Sequence, residues 1–169
     1  IFLIPIRHFL QHCASLLIRG GFMNLILYYL FVYLIEAIIL WLYCNRIFTS
    51  RKNTFLSLLI TIGMFSLLIP VAILTNAALN AFCSFIVYLC CIVLNYDSKP
   101  VWALFHALAL TILMALSEGL IAAAIPDITI YAFRDGNIHS SAFTFVILSK
   151  SVYLCISQLV TRIFSKDTV

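Results

Sequence analysis

Four titratable side chains stand inside runs that are otherwise apolar: Glu36, His106, Glu118 and Lys150. The stretch FHALALTILMALSEGL, residues 105–120, holds two of them, a histidine near one end and a glutamate near the other. Carboxylate, imidazole and ammonium groups can form ion pairs, bind ligands or move protons. Charged side chains are expensive at the centre of a membrane helix, about 2.5–3.5 kcal/mol for Asp, Lys or Arg, so they face a partner or a cavity there. Depth selects the partner. Glu118 lies seven residues from one end of its apolar run and Lys150 eight from the facing end of the next, so both sit roughly 10–12 Å below the same boundary. The expected arrangement is a Glu118–Lys150 ion pair. Such a pair can hold two helices together, serve in sensing, or do both. A Glu118 left unpaired and protonated would instead point to proton coupling.

His106 stands about 18 Å along the helix axis from Glu118 and roughly 120° around it, so the two cannot share a metal or a proton-transfer site within that helix. It reads as an interfacial or helix-packing histidine. Glu36, toward the inner half of the first apolar run, can approach His106 if those two helices touch.

No catalytic constellation is present. The chain has no HExxH zinc-protease motif, no GxSxG nucleophile elbow and no glycine-rich phosphate loop. Its cysteines show neither CxxC nor Cys/His metal spacing. Cys83, Cys90, Cys91 and Cys155 lie inside apolar runs and Cys44 at the end of one, where a free thiol behaves as a small hydrophobe. No catalytic residue, metal or cofactor is predicted, and the chain by itself does not read as an enzyme.

The elements that position these groups follow from composition. The chain is 64% hydrophobic and 9% charged, where a soluble domain carries about 25% charged residues. Its mean hydropathy is +1.15. A soluble fold cannot cover that much apolar surface with so few charges. The net charge of +4 is too small and scattered to suggest nucleic acid. Apolar runs of roughly spanning length predict five transmembrane helices at 24–44, 54–75, 77–95, 101–125 and 142–164, the second and third divided only by Thr75 and Asn76. The predicted fold class is an all-α membrane protein, a bundle of about five transmembrane helices.

Basic residues then orient it. From Met23 onward, Arg46, Arg51, Lys52, Lys99, Arg162 and Lys166 fall in segments of one parity, and only Arg134 in the other. By the positive-inside rule the N-terminus lies outside and the C-terminus inside. Residues 1–22 are too short and polar to span. Ile6, Phe9, Leu10, Cys13, Leu16 and Leu17 could form the apolar face of an interfacial helix. Met23 stands just before the first span, and RGGFM can be encoded by a ribosome-binding sequence followed by a start codon, so the segment is expected to be untranslated leader read in frame.

Packing signals accompany the spans. Ala103, Ala107, Thr111, Ala115, Gly119 and Ala123 recur at every fourth residue, a spacing of small side chains that lets helix backbones approach. Lys150, Tyr153, Ser157 and Thr161 form a polar stripe expected to point inward.

From Met23 onward the chain resembles the N-terminal sensor region of GHKL-type sensor histidine kinases, the accessory-gene-regulator-like receptors of peptide quorum sensing. The resemblance is carried by YLFVYLIEAIILWLYCNRIF in the first helix, VWALFHALALTILMALSEGL in the fourth and ILSKSVYLCISQLVTRIFSK in the fifth. It covers about residues 23–166 and implies six or seven helices followed by a dimerising hairpin and an ATP-binding kinase domain. This sequence stops at Val169 after five spans, without a phosphoacceptor segment or ATP-binding motifs, so residues 23–169 read as a polytopic sensor domain truncated before any kinase domain. The resemblance implies a bacterial cytoplasmic-membrane receptor for a secreted peptide, a homodimer when full length, reaching a response regulator through the missing kinase domain. Peptide contact is expected near the 75–76 turn and the 126–141 loop, at Tyr131, Phe133 and Arg134, with Glu118 and Lys150 beneath. The same tyrosine and phenylalanine also suit interfacial anchoring. A substrate-binding membrane subunit of an importer and a non-enzymatic membrane scaffold share the size, hydropathy and few buried charges.

Overall fold

The computed structural model describes residues 21–73, 77–126 and 140–164. The first twenty residues, the 75–76 turn and the loop that holds Tyr131, Phe133 and Arg134 lie outside the described residues. The elements in chain order are α1 (Gly21–Ile47), β1 (Thr49–Ser50), α2 (Thr54–Ser66), α3 (Ile69–Ile73), α4 (Ala77–Asn95), β2 (Tyr96–Asp97), α5 (Pro100–Ala124) and α6 (Ser140–Ile163). Among the described residues, five helical stretches are long and apolar enough to cross a bilayer: Asn24–Ile47, Thr54–Ile73, Ala77–Asn95, Pro100–Ala124 and Ser141–Ile163.

Local chemistry sets several boundaries. The Asn53 side chain accepts a hydrogen bond from Phe55 N–H and caps α2. Pro100 opens α5, where its missing N–H costs nothing. Pro70 breaks the second span, which the sequence reading took as one helix over 54–75. Pro70 has no N–H to give the Ser66 carbonyl, and its ring crowds that carbonyl. The turn before it tightens accordingly, with Leu67 and Leu68 N–H bonded to Met64 and Phe65 O at 3.2 and 3.0 Å. The first helix also runs past its expected end at residue 44 to Ile47. At its start it takes in Gly21 and Phe22, which the sequence reading assigned to the leader.

The helices close into a ring in chain order. α1 packs on α2, α2 on α4, α4 on α5, α5 on α6, and α6 returns to α1. The inner face repeats at three- and four-residue spacing along each helix, as Tyr33, Ala37, Leu40, Tyr43 and Cys44 do on α1. Tyr43, Tyr88, Tyr153, Phe65 and Leu110 fill the centre. The outer face is apolar as well: Leu27, Phe55, Phe82, Val101 and Leu116 are exposed. Helices apolar all round belong in lipid rather than in water.

At one end of the ring β1 and β2 form a two-stranded antiparallel ribbon with Thr49 opposite Asp97 and Ser50 opposite Tyr96. It ties the connection between α1 and α2 to that between α4 and α5. Arg51 N–H donates to Asn95 O at 2.9 Å, and its guanidinium pairs with Asp97 at 3.0 Å. Phe164 comes to the same end, its ring 5.8 Å from that of His106 near the start of α5. Arg46, Arg51, Lys52, Lys99 and Arg162 therefore all belong to this end of the bundle.

The small-residue stripe of α5 is used only in part. Ala103 and Ala107 are fully buried, whereas Ala115 and Gly119 are exposed and a Cβ on Gly119 would meet nothing within 4 Å. A strict four-residue repeat advances about 40° per step around a helix of 3.6 residues per turn, so it walks off the contact face. Leu110, Met114 and Ser117 take over the inner face. The polar stripe of α6 does point inward: Lys150, Tyr153, Ser157 and Thr161 are all buried.

Candidate functional site

Lys150 is the centre of the site. Its Nζ donates to Glu36 Oε1 and to Glu118 Oε1, each at 2.5 Å, joining α6 to both α1 and α5. The Lys150 and Glu36 side chains are 2% and 3% exposed, and Glu118 is 40% exposed. The site is thus buried on one side and open on the other. The expected Glu118–Lys150 pair is present, with a third member the sequence reading did not assign to it.

Helix geometry explains the convergence. Measured from the end opposite the ribbon, Glu118, Lys150 and Glu36 stand about 9, 14 and 18 Å along their spans. The lysine lies between the two carboxylates in height, and its flexible four-carbon stem brings one ammonium to both. Neighbouring hydroxyls do not compete for it. Ser149 Oγ donates to Val146 O at 3.2 Å and Ser117 Oγ to Met114 O at 2.7 Å, each back into its own helix. Glu36 Oε2 is buried with no hydrogen-bond partner. A groove of about 190 Å³ between α1 and α6, lined by Ile35, Ile38, Ile39, Leu42, Ile147, Lys150, Ser151 and Leu154, reaches the lysine from the side of the bundle.

His106 belongs to a separate cluster. The suggested approach of Glu36 to His106 is corrected by the structure, because Lys150 takes Glu36 and His106 meets a different residue of α1. The His106 Nδ1 and the Tyr43 hydroxyl are joined by a hydrogen bond of 2.7 Å. Rings of Phe48, Phe105, Phe164, Tyr43 and Trp102 surround the imidazole at centroid distances of 5.1–6.0 Å. Tyr43 is seven residues beyond Glu36, two helical turns along the same inner face, so α1 presents Glu36 to α6 and Tyr43 to α5. That spacing was the available signal for the Tyr43–His106 pair. His106 is fully buried.

Other polar links brace the bundle. The Tyr33 hydroxyl donates to Asn80 Oδ1 at 2.8 Å, linking α1 to α4. The Tyr96 hydroxyl donates to Asn45 Oδ1 and accepts from Ser57 Oγ, both at 3.3 Å, beside the ribbon. Burial pushes the Tyr96 phenol above its ordinary pKa, which keeps this donor protonated. Between the ribbon and α5 lies a cleft of about 350 Å³ lined by Phe48, Thr49, Asp97, Lys99 and Trp102 among others. It is at the opposite end from the loop where the sequence reading places a peptide. Among the described residues, no three His, Cys, Asp or Glu side chains converge to hold a metal ion.

The structure thus brings together Glu36, Glu118 and Lys150 and sets His106 apart, while Tyr131, Phe133 and Arg134 lie outside the described residues. What the cluster offers chemically is one ammonium between two carboxylates, one of them buried with the lysine, at the meeting of three helices. The chain matches no protein-family profile, no curated protein and no solved structure.

Proposed function

We propose that this chain is the membrane-embedded sensor portion of a two-component histidine kinase that detects a secreted peptide. It is a multi-pass protein of the bacterial cytoplasmic membrane with the ribbon end in the cytoplasm. Support for this orientation is the collection of Arg46, Arg51, Lys52, Lys99 and Arg162 at that end.

The observation that carries the reading is the Glu36–Lys150–Glu118 cluster. One ammonium between two carboxylates on different helices is an element with two arrangements, one favouring α1–α6 contact and the other α5–α6 contact. The 126–141 loop joins α5 to α6. A peptide bound there shifts the balance only if it binds one arrangement more tightly than the other. The far end of α6 leaves the bundle beside the basic residues, where an attached kinase would receive the shift. The full-length receptor acts as a homodimer, and a response regulator is engaged only through the kinase domain.

The test is to sequence the gene through the codon for Val169. A reading frame that continues into a dimerising helical hairpin and an ATP-binding domain supports the sensor. A stop codon there, beside a gene for a transport ATPase, overturns it.

The second reading is a substrate-binding membrane subunit of an importer. It is favoured by the broken second span ahead of Pro70 and by Glu36 standing midway along its span, since transporters build midplane sites with interrupted helices. Substrate accumulation in vesicles containing this chain and the partner ATPase would select it.

A further inference from the structure

The charges around Lys150 do not balance. Glu36 Oε1 and Glu118 Oε1 each lie 2.5 Å from Nζ, so the two oxygens are at most 5.0 Å apart, twice that distance. With both carboxylates ionised the cluster carries one net negative charge. Two carboxylates sharing a site favour a state in which one holds a proton, and burial strengthens that preference because water does not screen the repulsion. Glu36 Oε2 adds an independent sign: it is a buried carboxylate oxygen of a residue only 3% exposed, with no donor to satisfy it.

Among the described residues, no second cation pairs with either carboxylate. The other titratable groups in electrostatic reach, among the described residues, are the phenols of Tyr28 and Tyr33 on α1, Tyr88 on α4 and Tyr153 on α6. α2 and α3 contribute no titratable side chain. On α5, His106 is about 18 Å away along the axis and is engaged by Tyr43.

The geometry points to a proton-binding site made by Glu36, Glu118 and Lys150, in which the two carboxylates share one proton. The proton comes from a hydronium ion of the aqueous phase, which loses one O–H bond and leaves as water. One O–H bond forms on a carboxylate oxygen, Lys150 keeps all its protons, and the cluster passes from a net charge of −1 to zero. Glu118, partly exposed, is the side from which the proton enters; Glu36 Oε2 is the buried oxygen left free to receive it. This inference rests on the geometry alone and does not depend on the sensor reading.

Glu36 and Glu118 are the only glutamates in the sequence, which makes the test direct. The chain is synthesised with glutamate carrying 13C at the side-chain carboxyl, placed in lipid nanodiscs, and followed by infrared spectroscopy as pH is raised from mildly acidic to alkaline. The expected result is one protonated and one ionised labelled carboxyl at neutral pH, the protonated signal vanishing in a single one-proton step. Glu36→Gln and Glu118→Gln should each abolish it, because the remaining carboxylate then balances Lys150. Two ionised carboxyls at neutral and mildly acidic pH overturn the proposal. So does a protonated signal that survives in either variant. If the variants do not fold, the titration of the unsubstituted protein decides alone, since the label reports only these two residues.

Discussion

Lys150 is the residue whose loss should cost most. Lys150→Ala leaves the negative charge that the two carboxylates share without a counter-charge, and breaking a buried pair in this way costs about 3–5 kcal/mol. Unfolding by denaturing detergent, read by circular dichroism, measures it. Lys150→Met combined with Glu36→Gln should recover a substantial part of the stability lost in Lys150→Met, because neither buried member of the pair then remains charged. A double variant as unstable as the single one argues against the ion pair. The Glu118–Lys150 partnership was legible in the sequence because the fixed rise of a helix sets height, and the two residues share a height. The Glu36 contact was not legible for a specific reason. It depends on which face of α1 turns toward α6 and on how far a lysine reaches, and neither follows from distance along the chain. The structure buries His106 among aromatic rings, and its partner Tyr43 required knowing that α1 and α5 meet across the ring.

At the scale of elements, periodicity identified the five spans but not their interruptions or their contact faces. Pro70 stood in view, and its effect falls one turn earlier, where Leu67 and Leu68 N–H bond to Met64 and Phe65 O beside the Ser66 carbonyl that Pro70 cannot serve. The every-fourth-residue pattern of α5 named Ala103 and Ala107 but overran the true face, because 4.0 and 3.6 part company within two turns. The ribbon was invisible in advance: two residues per strand give no alternation to read. It has a simple check. Thr49 and Asp97 are directly opposite, and Cβ atoms of such pairs are about 4.5–5.5 Å apart, close to what a disulfide needs. Thr49→Cys with Asp97→Cys, in a variant lacking the native cysteines, should form an intramolecular disulfide under mild oxidation, seen as a mobility shift that reductant reverses. Failure to cross-link would place the two connections apart.

For the whole molecule, the ring and the charge asymmetry make one statement about orientation. Single cysteines at Arg51 and at Lys99, in a variant lacking the native cysteines, should react with a membrane-impermeant maleimide in inverted vesicles and stay unlabelled in intact cells. Labelling from the outside of intact cells would reverse the proposed topology. The ring also has an assembly consequence. Its closing contact joins residues 114 positions apart, Glu36 on α1 and Lys150 on α6. At about 5–20 residues per second, a ribosome takes about 6–23 s to add the lysine after the glutamate. Through that interval the first span has its acid and no cation to match it, so it must either travel as the neutral acid or wait beside the insertion machinery. The first helix therefore depends on α6: until α6 arrives, the first helix is a guest in the bilayer without a permanent place.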